Sequence, residues 1–79
     1  MNLKVIGAGC PECDKLYTNT LEAVEQLQLD AKVEKIENLV EIVKLGVMTA
    51  PSLMKDGKLI VSGRVASTEA IMKLLEKNM

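Results

Sequence analysis

Two cysteines, in the order Cys10-Pro11-Glu12-Cys13, constrain this chain more than any other feature. They are its only cysteines, and they lie where an apolar strand predicted over residues 2–7 gives way to an amphipathic pattern. The first turn of a helix carries unpaired backbone N–H groups and the positive end of the helix dipole, which favour an anionic thiolate. Because the thiolate is the nucleophile in thiol–disulfide exchange, this placement predicts redox chemistry at a strand-to-helix junction.

The residues around the cysteines predict a flexible loop followed by a long helix. Gly7-Ala8-Gly9 favours a flexible approach to the cysteines. Pro11 suits the first helical position, where its missing N–H costs no hydrogen bond, and Cys10 is the expected N-cap. Helical spacing of apolar residues continues to about Gln28. The buried face is expected to comprise Leu16, Leu21, Ala23, Val24 and Leu27.

The second half of the chain alternates short apolar runs with turn signals. A loose alternation over residues 31–36 predicts a second strand. Asn38 is the expected N-cap of a short helix that Gly46 ends. Asp56-Gly57 is typical of a two-residue hairpin turn between two strands. Ser67 or Thr68 begins a last helix, whose buried face is expected to comprise Ala70, Ile71, Leu74 and Leu75.

These elements give the order β-α-β-α-β-β-α. A β-α-β opening places two parallel strands in one sheet, and the hairpin adds an antiparallel pair. We therefore expect a single α/β domain over residues 1–79, with a four-stranded mixed sheet and helices on both faces.

Composition and charge restrict the classes of partner. The net charge is −1, with lysine and glutamate interspersed, and Tyr17 is the only aromatic residue. A nucleic-acid partner is therefore not expected, since the chain offers neither a basic surface nor rings for base stacking. The N-terminus runs directly into the first strand, and no apolar run approaches the roughly 18 residues of a membrane span. We expect a cytoplasmic monomer, in a compartment where a cysteine pair is more often catalytic or metal-binding than structural.

The element order, the C-P-x-C motif after the first strand and the proline before the third resemble the thioredoxin fold. The likeness is closest to its trimmed form, found in glutaredoxins and in small redox-active disulfide proteins. It spans essentially the whole chain. Its motifs are Gly9-Cys10-Pro11-Glu12-Cys13, Gly46-Val47-Met48-Thr49-Ala50-Pro51, Asp56-Gly57-Lys58 and Ser62-Gly63-Arg64-Val65.

The resemblance implies a role for each of these motifs. Cys10 would be the attacking thiol and Cys13 the resolving thiol of a thiol–disulfide oxidoreductase. The Ala50–Pro51 peptide bond would be cis and face the cysteines, with Thr49 and the backbone of Ala50 shaping a docking site for substrate. No bound cofactor is implied. The partners would be a disulfide-containing protein or small thiol, and a reductase that the sequence does not identify.

The chain also departs from the pattern of these families near the cysteines. Thioredoxins have tryptophan where this chain has Gly9, and they bury an acid that accepts the proton of the second cysteine. Residues 2–8 contain no such acid. Glutaredoxins that bind glutathione usually have an aromatic residue between the cysteines and an acidic pair at the last helix. This chain has Glu12 and Ser67-Thr68-Glu69 at those places.

Charged residues near Cys10 are expected to act on its thiol in opposite directions. The helix N-terminus lowers the pKa of a thiol, whereas Glu12 and Asp14 raise it and Lys15 offsets part of their effect. We expect a modest net depression. Tyr17 and Arg64 are candidate ligand contacts, with Arg64 suited to a carboxylate or phosphate. Helix packing for Tyr17 and a solvated loop charge for Arg64 are the alternatives.

Two other functions stay open. The two thiolates would also suit a carrier of Cu(I) or of a metalloid. Copper-chaperone domains, however, run β-α-β-β-α-β and end on a strand, whereas this chain is predicted to end on a helix. One cysteine pair without histidine cannot complete a four-ligand zinc site. The third possibility is a binding module that uses the disulfide as a redox switch.

Overall fold

The computed structural model describes residues 1–7 and 11–78. Seven elements follow one another in the predicted order, and their bounds lie within one or two residues of those expected. They are β1 (Asn2–Ile6), α1 (Pro11–Leu27), β2 (Lys32–Ile36), α2 (Leu39–Lys44), β3 (Ser52–Lys55), β4 (Lys58–Ser62) and α3 (Thr68–Lys77). None of these helices is long and apolar enough to cross a membrane.

The four strands form one mixed sheet in the order β2-β1-β3-β4. β1 and β2 are parallel, with Leu3 opposite Val33. β3 is antiparallel to both β1 and β4. This sheet confirms the predicted α/β architecture and places β1 at its centre. The carboxyl end of β1, which precedes the two cysteines in the sequence, is therefore flanked by a strand on each side.

Alternation along β1 divides the core between the two faces of the sheet. Leu3 and Val5 belong to the larger cluster, which includes Leu16 of α1 and Ile71 of α3. Ile6 belongs to a smaller cluster against which Ile42 of α2 packs. The sheet is therefore covered by α1 and α3 on one face and by α2 on the other, as predicted.

The ends of α1 and α2 share one hydrogen-bonding pattern. At the end of α1, the Leu29 N–H donates to the Val24 carbonyl at 3.1 Å, and the intervening Gln28 has a φ of 54°. At the end of α2, Gly46 takes this left-handed conformation with a φ of 74°. Both ends are Schellman motifs, in which left-handed backbone satisfies carbonyls of the last turn. Asn38 caps the start of α2 as predicted, accepting from the Val40 N–H at 2.8 Å.

Among the residues expected on the buried faces of α1 and α3, only Leu21 is exposed. Leu21 is 42% exposed, whereas Thr20 is fully buried. The buried stripe of α1 runs through Cys13, Leu16, Thr20 and Ala23, a spacing of three and four residues that leaves Leu21 one position off the stripe. Thr20 is tolerated there because its hydroxyl donates to the Leu16 carbonyl at 2.7 Å.

The predicted hairpin turn also connects to the beginning of β1. Asp56 and Gly57 both have positive φ, 47° and 85°, as a two-residue type I′ turn requires. The Asn2 N–H donates to the Asp56 carboxylate at 2.8 Å, and the Asp56 N–H donates to the Asn2 carbonyl at 2.8 Å. The hydrogen bond from the Asn2 backbone, helped by the Lys55 ammonium, holds the pKa of Asp56 below its ordinary value of 3.8.

This lowered pKa predicts a dependence of stability on acid. The folded state binds the Asp56 proton more weakly than the unfolded chain does, so the carboxylate stabilises the fold above pH 3.8. That stabilisation is lost as the pH falls through the lowered pKa. Asp56→Asn replaces the aspartate by a residue that also tolerates the left-handed conformation, so the turn should be retained. The wild type should be more stable than this variant at pH 7, and the difference in free energy of unfolding should vanish in acid. Urea unfolding between pH 2 and pH 7 measures the difference.

Asp30→Asn removes the same charge at an exposed loop position and is the matched control. If the free energies of unfolding of wild type and Asp56→Asn differed by the same amount down to pH 2, the stabilisation could not come from the ionised Asp56 carboxylate.

Candidate active site at the start of helix α1

Cys13 lies in the first turn of α1 and is almost completely buried, with 1% of its surface exposed. It is disulfide-bonded. Pro11 begins α1, as predicted for a proline at the first helical position. Cys10, the expected N-cap and attacking thiol, lies outside the described residues.

Gly7 is the residue at which β1, α1 and the Ala50 loop meet. Its N–H donates to the Ile36 carbonyl at 3.0 Å, which extends the pairing between β1 and β2 by one residue. A Cβ atom placed on Gly7 would overlap the Cys13 Sγ, and would lie 3.1 Å from the Cys13 Cβ and 3.7 Å from the Ala50 Cβ. Gly7 is buried and hydrogen-bonded, which agrees with its place at the end of the strand predicted over residues 2–7. The other two residues of the predicted flexible approach, Ala8 and Gly9, lie outside the described residues. The sequence signal for the close approach of Gly7 to Cys13 was a glycine placed directly after a strand and shortly before the cysteines.

The loop before β3 carries the three residues predicted for docking, Thr49, Ala50 and Pro51, and is named the docking loop after that prediction. The Ala50–Pro51 peptide bond is cis. Pro51 is fully buried, whereas Ala50 and Thr49 are exposed. Since the Ala50 side chain lies against Gly7, the structure brings Cys13, Ala50 and Pro51 to one end of the sheet.

A chain of hydroxyl groups connects this loop to the end of β4. The Ser52 hydroxyl is fully buried and donates to the Thr49 carbonyl at 2.7 Å. The Thr49 hydroxyl lies 3.2 Å from the Ser52 hydroxyl and 2.8 Å from the Ser62 hydroxyl. The Gly63 N–H lies 3.4 Å from the Ser52 oxygen, which accepts it.

These contacts determine which hydroxyl donates. The single Ser52 proton goes to the Thr49 carbonyl, so the Thr49 hydroxyl must donate to Ser52. The Ser62 hydroxyl must then donate to Thr49. The hydrogen bonds therefore run from Ser62 through Thr49 to Ser52, with each hydroxyl donating to the next, and they hold both ends of the docking loop. The sequence predicted a docking role for Thr49 but gave no sign of this hydroxyl chain. Ser52 lies outside the motifs of the resemblance, and Ser62 begins the Ser62-Gly63-Arg64-Val65 motif without an assigned role.

An ion pair beside Cys13 joins α1 to β2. The Asp14 carboxylate pairs with the ammonium of Lys35, a residue of β2, and not with the neighbouring Lys15. The Lys35 Nζ also lies 3.9 Å from Glu37 and 5.8 Å from the centre of the Tyr17 ring. The hydrogen bond to Asp14, with the attraction of Asp14 and Glu37, raises the pKa of Lys35.

Of the two candidate ligand contacts, one lies by this ion pair and the other by the docking loop. Tyr17 is half-buried and packs against the larger core cluster. Arg64 is exposed and follows Gly63. A Cβ atom placed on Gly63 would lie 3.5 Å from the Thr49 side chain. Within residues 1–7 and 11–78, no three side chains of histidine, cysteine, aspartate or glutamate come together in a way that would hold a metal ion.

The close approach at Gly7 predicts a stability cost for Gly7→Ala. The added methyl group overlaps the Cys13 Sγ, so strand or helix must shift, at about 1–3 kcal/mol. In a Cys13→Ala background the sulfur is absent and the cost of Gly7→Ala should be smaller. Urea unfolding of the four proteins with reductant present completes the double-mutant cycle. Equal costs in the two backgrounds would show that the sulfur is not what excludes a side chain.

The hydroxyl chain predicts that Ser52→Ala is more costly than Ser62→Ala. Removing the buried Ser52 hydroxyl leaves the Thr49 carbonyl and the Gly63 N–H short of partners, at about 1–3 kcal/mol. Ser62 is exposed, so water replaces its hydroxyl and the loss should stay below about 1 kcal/mol. Thermal unfolding of the two variants measures both effects. Equal losses would contradict a central role for Ser52.

Comparison with known proteins gives a consistent assignment. Residues 1–76 match the family described as thioredoxin domain. A thioredoxin of Methanothermobacter thermautotrophicus is 43% identical over 75 residues, covering 95% of this chain and 97% of that protein. A thioredoxin of Methanocaldococcus jannaschii is 32% identical over 74 residues, covering 94% and 85%.

A solved structure described as that of a malarial protein superimposes with a TM-score of 0.74 and covers 99% of this chain and 96% of that one. At 15% identity this likeness concerns the fold alone. The family match, the two thioredoxins and the four-stranded sheet agree, and this chain belongs to the thioredoxin-domain family.

Proposed function

We propose that this protein is a thiol–disulfide oxidoreductase in which Cys10 and Cys13 alternate between a dithiol and a disulfide. The observation that carries the proposal is the placement of a disulfide-bonded Cys13 in the first turn of α1, against Gly7 and the Ala50 loop. Membership of the thioredoxin-domain family supports the reaction class, since the relatives at 43% and 32% identity are thioredoxins.

The proposed reaction transfers two electrons in two displacements. The Cys10 thiolate attacks one sulfur of a partner disulfide, forms a mixed disulfide and expels the other partner sulfur as a thiolate. The Cys13 thiolate then attacks the Cys10 sulfur, which closes the Cys10–Cys13 disulfide and releases the second partner thiolate. The partner gains two electrons, and its thiolates take up two protons, equal in number to those lost by the Cys10 and Cys13 thiols.

Burial of Cys13 is consistent with its role in the second step. A resolving thiol reacts only with the neighbouring mixed disulfide, so it needs no exposure to the partner protein. Its sulfur lies against Gly7, on the inner side of the site. The attacking thiol is the one that must reach the partner, and we assign this to Cys10 because an N-cap position exposes a side chain to solvent and to the helix dipole.

We assign substrate docking to Thr49, Ala50 and Pro51. Ala50 and Thr49 are exposed beside the cysteine-bearing turn, and the buried Pro51 and Ser52 hold them from below. An extended segment of a partner would pair with the Ala50 backbone as an added strand. The partners would be a disulfide-bearing protein or small thiol and a reductase that restores the dithiol. The proposed setting is the cytoplasm, where disulfides are usually transient and catalytic.

Cysteine variants test the reaction. Wild-type protein should accelerate the reduction of insulin by dithiothreitol, and Cys10→Ser should reduce the rate to that of dithiothreitol alone. Cys13→Ser should also stop turnover, but should accumulate a mixed disulfide with the insulin chain because nothing resolves it. Mass spectrometry without reductant detects this adduct, and circular dichroism checks that both variants fold.

Other results would favour the alternative functions. A wild-type protein that fails to reduce insulin but retains one equivalent of Cu(I) against a competing chelator would be a carrier. A protein that forms its disulfide reversibly without passing electrons would be a redox switch. An adduct with Cys10→Ser in place of Cys13→Ser would reverse the assigned roles.

A further inference from the structure

The Asp14–Lys35 ion pair connects the first turn of α1 to the edge strand β2. Asp14 directly follows Cys13 in the chain. Lys35 pairs in register with Val5 of β1, and side chains at this register point to the sheet face that α1 covers. The ammonium therefore reaches across the sheet edge to the turn that carries Cys13.

The Lys35 ammonium is held by several neighbours. Besides Asp14, it contacts Glu37 at 3.9 Å and lies over the Tyr17 ring. Tyr17 is four residues after Cys13, so the two side chains share one face of α1. The Lys35 side chain is only 25% exposed, compared with 72% for Lys32 on the same strand. Lys35 is thus a fixed charge, whereas Lys32 is an ordinary surface lysine.

A fixed positive charge has a specific effect at this turn. The first turn of α1 carries Glu12 and Asp14, and negative charge near a thiol disfavours the thiolate. We propose that Lys35 is a positioning and charge-compensating residue for the dithiol, holding Asp14 and offsetting its charge so that the thiolate forms near neutral pH. This inference rests on the proposed oxidoreductase function, and it assigns a further residue to that site.

Lys35 acts in this proposal without exchanging protons or electrons. Its contacts with Asp14 and Glu37 favour the protonated form and raise its pKa, so it stays an ammonium wherever the thiols titrate. The charged and titratable groups facing this turn come from two elements and the residue after β2. They are Glu12, Asp14, Lys15 and Tyr17 on α1, Lys35 on β2, and Glu37.

The test uses four proteins: wild type, Asp14→Asn, Lys35→Gln and the double variant. The readout is the rate at which the reduced protein reacts with iodoacetamide between pH 5 and pH 10, which follows the thiolate fraction. Near pH 6.5, Lys35→Gln should slow alkylation roughly two- to fivefold and Asp14→Asn should accelerate it by a similar factor, as expected for the removal of one partly solvated charge beside the first turn of α1. The double variant should return close to wild type.

Two controls separate charge from structure. Lys32→Gln removes the same charge from the same strand, where Lys32 pairs with Glu34 at 3.2 Å, and should leave the alkylation profile unchanged. Lys35→Arg keeps the charge and should retain the wild-type profile. The differences should shrink in 0.5 M NaCl, because salt screens interactions between exposed charges.

Opposite signs for the two single variants are the decisive result. If Asp14→Asn and Lys35→Gln both slow alkylation, the pair only holds strand and helix together and the proposal is overturned. An effect of Lys35→Gln no larger than that of Lys32→Gln would overturn it as well. Failure of the wild type to reduce insulin would refute the oxidoreductase function, whereas the alkylation profiles would still report whether Lys35 compensates Asp14.

Discussion

The contact between Gly7 and Cys13 is the constraint on which the arrangement of this site depends. A strand of the central sheet ends at Ile6, and the next residue must have no side chain because the Cys13 sulfur occupies that space. The same glycine donates a hydrogen bond to β2 and lies beside Ala50. The sheet, helix α1 and the docking loop therefore come into van der Waals contact at Gly7. A larger residue at position 7 would separate the helix tip from the loop that completes the site.

The docking loop is held from the other side by hydroxyl groups to which the proposed reaction assigns no step. Ser52 is a fully buried polar residue, and its hydroxyl both donates to Thr49 and accepts from Gly63. Because the hydroxyl groups of Thr49, Ser52 and Ser62 each have a defined partner, the loop has one preferred arrangement. Ala50 can therefore be exposed to solvent and still be fixed in position. An exposed but rigid backbone segment is what strand-like pairing with a partner requires.

Local signals were sufficient for the fold and for part of the site. Pro11, Asn38, Gly46 and Asp56-Gly57 mark element boundaries because each residue type suits one backbone geometry, and the structure has each where the sequence predicts it. The contacts that shape the site join residues far apart in the chain. Asp14 meets Lys35 across 21 positions, and Thr49 meets Ser62 across 13. Such pairs follow from strand order and register, which short motifs do not specify, so the sequence named Lys15 beside Asp14 but gave no sign of Lys35.

The first turn of α1 shows how helix stability and thiol chemistry make opposing demands. Acidic residues in a first turn stabilise a helix by interacting with the positive end of its dipole, and Glu12 and Asp14 are placed accordingly. The same charges disfavour a thiolate at the helix tip. A cation brought in from β2 resolves the conflict, because Lys35 offsets Asp14 without leaving the helix short of acidic residues. Glu12 remains to interact with the dipole. On this view the edge strand contributes to the site through charge, although it supplies no reacting group.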